Sequence, residues 1–147
     1  MYLNVEKEYV RCKQCNEVNE FCGLSDFSYG KLLVRLFRGT KYLYVDMMTD
    51  PVFKEIESMI PPEISKKNPR IVQLIYGITC DPVDGRTVEM VSDRRCIKCR
   101  ANDYEPTIAR PCEHGEISVE CPTHKMWDKF SVEEKNIRIA DKLQKIV

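Results

Sequence analysis

The sequence predicts an α+β protein in which the two ends of the chain build one small domain around an inserted lobe. Three observations carry this reading. Two matching Cys-x-x-Cys pairs, Cys12 with Cys15 and Cys96 with Cys99, lie far apart in the chain. Short stretches with a two-residue alternation, the period of a strand, occur beside each pair. Between them, and again at the C-terminus, start signals for helices precede apolar residues at helical spacing.

Taken in order, residues 2–10 alternate and end in Tyr9-Val10, which predicts an edge strand running into Cys12. Residues 31–37 and 42–47 are rich in β-formers and are separated by Arg38-Gly39-Thr40-Lys41, so they read as a hairpin. Thr49-Asp50-Pro51 combines a capping residue with a proline at the first helical position. Val52, Phe53, Ile56, Met59 and Ile60 follow at helical spacing until Pro61-Pro62 stops the helix. Residues 63–70 read as a polar loop, 71–79 as an apolar strand, 81–85 as a turn and 86–92 as another strand. Glu116–Glu120 alternates as a short strand into Cys121. Ser131-Val-Glu-Glu134 is a capping box that opens a C-terminal helix through Val132, Ile137, Ile139, Ala140, Leu143 and Ile146. The boundaries implied are a domain of residues 1–22 and 90–147 and an inserted α+β lobe of residues 23–89.

Composition excludes several classes. Lysine plus arginine equals aspartate plus glutamate at 23 each, so no global field draws nucleic acid or an anionic membrane. The first ten residues are charged throughout and lack the apolar core of a signal peptide. The apolar runs at 31–37 and 71–78 are too short to span a bilayer, so a soluble, cytoplasmic protein with no membrane partner is expected. Eight cysteines in such a compartment point to metal or redox chemistry rather than to disulfides.

Six of those cysteines and both histidines fall into four close pairs: Cys12–Cys15, Cys96–Cys99, Cys112–His114 and Cys121–His124. A Cys-x-x-Cys turn aims two sulfurs at one ion, and eight such ligands make two closed tetrahedral zinc sites. Their partition stays open. Cys96, Cys99, Cys121 and His124 have the spacing of one treble-clef-like module, with Pro122 at a helix start whose dipole favours the Cys121 thiolate. Cys12, Cys15, Cys112 and His114 then form the second site. In the other arrangement the two Cys-x-x-Cys knuckles share one ion as a zinc ribbon, and 112–124 bind the second. The matching segments Tyr9–Cys15 and Arg95–Cys99 favour the ribbon. The spacing resembles zinc ribbons and treble clefs over the knuckles alone, and those scaffolds serve many functions, so the resemblance implies a fold and no activity. Cys22 and Cys80 have no close partner and read as buried free thiols.

The metal is expected to be structural. His114-Gly-Glu116 has the His-x-Glu of zinc deaminases, but Cys121-Pro-Thr-His124 follows too soon for their pattern. No hydrolase, nucleotide-binding or zinc-protease motif occurs, and a redox dithiol would leave the second pair unexplained. A non-enzymatic binding function is therefore expected. Arg11 and Lys13 flank the first knuckle, and Arg94, Arg95, Lys98 and Arg100 the second, which favours phosphate contact and a nucleic-acid partner. The same cations would also balance a zinc held by four thiolates. A protein partner is the competing expectation, with Tyr29, Phe37, Tyr42 and Tyr44 as aromatic anchors if exposed.

Overall fold

A computed structural model of the chain describes residues 1–25, 29–106 and 113–146. The elements are β1 (Tyr2–Arg11), β2 (Val18–Leu24), β3 (Lys31–Arg35), β4 (Tyr42–Asp46), α1 (Pro51–Met59), α2 (Pro62–Lys67), α3 (Arg70–Thr79), β5 (Glu113–Ser118), α4 (Lys125–Asp128) and α5 (Val132–Ile146). The chain divides into two compact units. One comprises Met1–Val45 with Ser92–Cys121, the other Asp46–Val91 with Pro122–Val147. The contacts thus draw the boundaries along different lines from 1–22, 23–89 and 90–147: the β3–β4 hairpin belongs with the cysteine knuckles.

The first unit is built on an antiparallel sheet of order β2-β1-β5 and a two-stranded β3–β4 sheet. β1 is therefore the central strand and not the edge strand expected. Its register pairs Val5 with Leu24 on one side and with Gly115 on the other, and β5 arrives from the distant end of the chain. Alternation along one strand cannot reveal that second neighbour. β2 was not anticipated at all. Its buried positions are Asn19 and Phe21, and an inward-facing amide beside Gly23 disguises the apolar alternation. Val5, Val10, Phe21, Val34, Leu36, Leu43 and Val45 form the apolar interior.

The second unit is helical. The Asp50 side chain accepts from Val52 N–H at 2.9 Å and Pro51 takes the first helical position, as the sequence predicts for α1. The expected strand at 71–79 is instead helix α3. Ile71, Val72, Ile75, Tyr76 and Thr79 are its buried residues together with Gly77, a spacing that matches a helical turn and lines one face. The expected loop at 63–70 contains most of α2, which starts at Pro62, just after the Pro61 that follows the extended C-cap Ile60 of α1. The expected strand at 86–92 has no ladder partner beyond a single bridge between Val83 and Arg86. Val88 and Met90 are nevertheless buried, because this segment packs on α3: Gln73 Nε2 donates to Met90 O at 3.2 Å. A Cβ on Gly77 would lie 3.1 Å from Val88 O, so glycine permits that approach. The C-terminal helix opens with Ser131 Oγ accepting from Glu134 N–H at 3.2 Å, the predicted cap. No helix among the described residues is long and apolar enough to cross a membrane.

Candidate metal centre

The two Cys-x-x-Cys turns fold alike, hydrogen bond for hydrogen bond. In the first knuckle Cys12 N–H donates to Glu17 O at 2.8 Å and Asn16 N–H donates back to Cys12 O at 2.9 Å. In the second, Cys96 N–H donates to Ala101 O at 2.8 Å and Arg100 N–H to Cys96 O at 2.9 Å. The residue after each second cysteine lies in the left-handed region, Asn16 at φ 63° and Arg100 at φ 65°. Asparagine tolerates that conformation readily, and arginine does so at a cost. The N–H one residue after each first cysteine is also held. Lys13 N–H donates to Asp103 O at 2.9 Å, and Ile97 N–H to the side-chain oxygen of Asn19 at 2.9 Å. Asn19 and Asp103 both stand four residues beyond the second cysteine of their knuckle.

β1 delivers the first knuckle and β2 leaves it, so the sheet register fixes its place. The approach to the second knuckle is fixed by Arg35 on β3. That buried guanidinium donates to Gly39 O at 2.9 Å, Asp93 O at 3.2 Å and Arg95 O at 3.1 Å. Asp93, only 7% exposed, then accepts from Arg95 N–H at 3.1 Å and Arg38 N–H at 2.8 Å and pairs with Arg100 at 2.8 Å. Burial raises its pKa, but the Arg100 guanidinium and the two amides win and hold it at about 2.

The sulfurs of Cys12, Cys15, Cys96 and Cys99 all lie within 4.8 Å of one another. Cys12 Sγ is 3.5 Å from Cys99 Sγ, and Cys15 Sγ is 3.6 Å from Cys96 Sγ. Tetrahedral zinc with four bonds of about 2.3 Å separates its sulfurs by about 3.8 Å, whereas a disulfide needs about 2.05 Å. The four residues therefore fit a metal ion: the Cys12–Cys99 and Cys15–Cys96 separations lie just under the zinc spacing, and no sulfur is more than 4.8 Å from another. Cys12 and Cys96 are fully buried, Cys15 is half-buried and Cys99 is exposed.

The thiols differ in acidity. Burial raises Cys96, but the N–H groups of Cys99 and Lys98 and the Asn19 amide together bring it down to about 6. At Cys15 the Glu17 N–H lowers the pKa, yet burial and the three neighbouring thiols push it up to about 12.

The other expected ligands that fall among the described residues do not join this cluster. Among the described residues, the four sulfurs form the one group of three or more His, Cys, Asp or Glu side chains able to share an ion. Cys112 lies outside the described residues. His114 is exposed on β5, opposite Glu6. Cys121 is exposed with its sulfur 3.8 Å from Met1 Sδ. His124 has both ring nitrogens engaged in the helical unit. Nδ1 lies 3.0 Å from Thr79 O and Nε2 2.8 Å from Asp50 Oδ2, which also accepts from Tyr76 OH. Burial raises Asp50, but the hydrogen bonds from Tyr76 and His124 hold it below the usual carboxylate range. The treble-clef partition, which needs Cys121 and His124 beside Cys96 and Cys99, is not the grouping found. Cys22 and Cys80 are half-buried thiols outside the cluster. Cys22 faces Glu20, and burial pushes Cys80 up to about 12.

Most cations expected to grip phosphate have carboxylate partners. Arg11 lies 3.9 Å from Glu105, Lys13 3.9 Å from Asp103, Arg94 3.7 Å from Glu8 and Arg100 2.8 Å from Asp93. Arg94 also stacks over Phe21 at 4.4 Å. Arg95 and Lys98 are exposed.

Asn19, Arg35, Asp93 and Asp103 escape a motif search because none is a ligand. The equal offset of Asn19 and Asp103 from their knuckles is the one signal the sequence carries. The centre defines a class, a mixed α+β protein with a four-cysteine group that can hold one metal ion. Comparisons with protein-family models, curated proteins and solved structures return no match.

Proposed function

We propose that the chain is a zinc-braced binding protein whose ion is structural. One observation carries this: two equivalent knuckles bring four cysteine sulfurs within 4.8 Å of one another, with no other His, Cys, Asp or Glu among the described residues joining the group. Four thiolates fill the coordination sphere of zinc and leave no position for a substrate or an activated water. Cysteine sulfur also selects zinc over magnesium or calcium. The measurement is elemental analysis with native mass spectrometry on protein purified without added metal. One zinc per chain, lost in Cys96→Ser, is the expected result. A full metal content in that variant would sink the reading. A second zinc would bring the Cys112, His114, Cys121 and His124 group back as the other site.

We further propose a protein rather than a nucleic acid as the partner. The ion pairs made by Arg11, Lys13, Arg94 and Arg100 leave less free charge for phosphate. Beside the second knuckle, Phe37 is 46% and Ile97 38% exposed, and Arg100 stacks on Phe37 at 5.0 Å. Exposed apolar groups rimmed by charge are the usual composition of a protein interface. Titration against single- and double-stranded oligonucleotides at two salt concentrations separates the readings. Tight binding that falls steeply with salt would restore nucleic acid as the partner.

A further inference from the structure

We propose that Asn19 is the positioning residue of the four-sulfur centre, a buried amide that joins the two knuckles and supports the Cys96 thiolate. This rests on reading the centre as a metal site. Asn19 is 2% exposed and belongs to β2, the strand that leaves the first knuckle. Its Nδ2 group lies 3.3 Å from Glu17 O in that knuckle and 3.3 Å from Cys96 Sγ in the other. Its Oδ1 accepts from Ile97 N–H at 2.9 Å. The Nδ2 group thereby anchors the side chain to its own knuckle and reaches Cys96, while the oxygen holds Ile97 N–H, so two contacts cross to the other knuckle.

A merely structural asparagine would satisfy its amide with backbone groups alone. Here one donor is aimed at a metal-ligating sulfur, and the position has an internal control. Asp103 is the equivalent residue of the second knuckle, yet it holds Lys13 N–H with its backbone carbonyl. Its side chain pairs with Lys13 at 3.9 Å and lies 3.4 Å from Gln14 Nε2. Among the described residues, only the Asn19 side of the near-symmetric centre offers a side-chain N–H to a sulfur of the cluster. A zinc bound by four thiolates carries net charge −2 in a partly buried site. A neutral donor at Cys96 disperses part of that charge and fixes the sulfur's direction before the ion arrives. Groups placed in this way around metal ligands are worth about 10–100-fold in metal affinity.

Cobalt(II) titration of the wild type, Asn19→Ala and Asn19→Asp tests this, with circular dichroism as the check on folding. The wild type should show the ligand-field bands of tetrahedral sulfur coordination together with sulfur-to-cobalt charge transfer. In Asn19→Ala the affinity should fall about 10–100-fold. The ligand-field bands should persist while charge transfer moves to lower energy, because the sulfur has lost a donor and holds its electrons less tightly. Asn19→Asp keeps the shape and the acceptor for Ile97 N–H but sets a carboxylate beside the thiolate, so its affinity should fall at least as far. It also decides the matter if the alanine variant does not fold. Wild-type affinity in both variants would overturn the proposal. So would weaker binding with unshifted charge transfer, which would leave Asn19 a packing residue. A wild type without tetrahedral thiolate bands would instead overturn the metal reading itself.

Discussion

Asp93 shows how a residue outside any motif governs the centre. It holds the N–H groups of Arg38 and Arg95 and the guanidinium of Arg100, so it braces the irregular segment that leads to Cys96. Its pKa of about 2 in the folded protein lies below the value of about 3.9 in an unfolded chain. The stabilisation is therefore complete above about pH 4 and disappears as pH falls through about 2. Asp93→Asn should cost on the order of 2 kcal/mol near neutral pH and remove this acid limb from the stability profile. Urea unfolding at several pH values reads both effects; an unchanged acid limb would count against them. Asn16 makes a second residue-scale prediction. At φ 63° its replacement by glycine should leave stability nearly unchanged, whereas Asn16→Val should cost about 1–2 kcal/mol and weaken metal binding.

At the scale of elements, capping was readable and periodicity was ambiguous. Asp50 and Ser131 cap α1 and α5 as their motifs indicate, since a cap is a local bond between residues two or three apart. Ser131→Ala should cost about 1 kcal/mol, measured by thermal melting of the helical signal. Asp50→Ala should cost more, because Asp50 also holds Tyr76 and His124, and a loss confined to a cap's worth would refute that network. The segment 71–79 misleads because Ile, Val and Tyr suit strands, and a mostly apolar run of nine residues fits either period. Burial of Ile71, Val72, Ile75 and Tyr76 on one face decides for the helix. β2 fails from the opposite cause. Its inward residues include an asparagine whose role exists only once Cys96 and Ile97 stand opposite it.

For the molecule as a whole, the centre ties residues 12–15 to residues 96–99 within the first unit. An ion held there would close a loop of about eighty residues, the kind of link that most restricts an unfolded chain. Removing it with a strong chelator should melt the β-rich unit and expose its thiols to alkylation. Trp127, the chain's single tryptophan, is buried in the helical unit, where its Nε1–H donates to Glu55 at 2.6 Å. Its emission should stay in place during chelation. A red shift that tracks metal loss would show instead that the two units unfold together.

The sequence by itself determined the mixed α+β class, two sulfur knuckles, the capped helices and the β3–β4 hairpin. Each of these depends on residues within a few positions of one another. Tertiary structure alone decided which pairs share a centre, because that depends on strands β1 and β2 and on the Arg35-held approach bringing distant turns face to face. It also decided that His124 lies in a hydrogen-bond network with Asp50, Tyr76 and Thr79, and that most knuckle cations face carboxylates. Such pairings join residues far apart in the chain, and spacing along a sequence does not encode them.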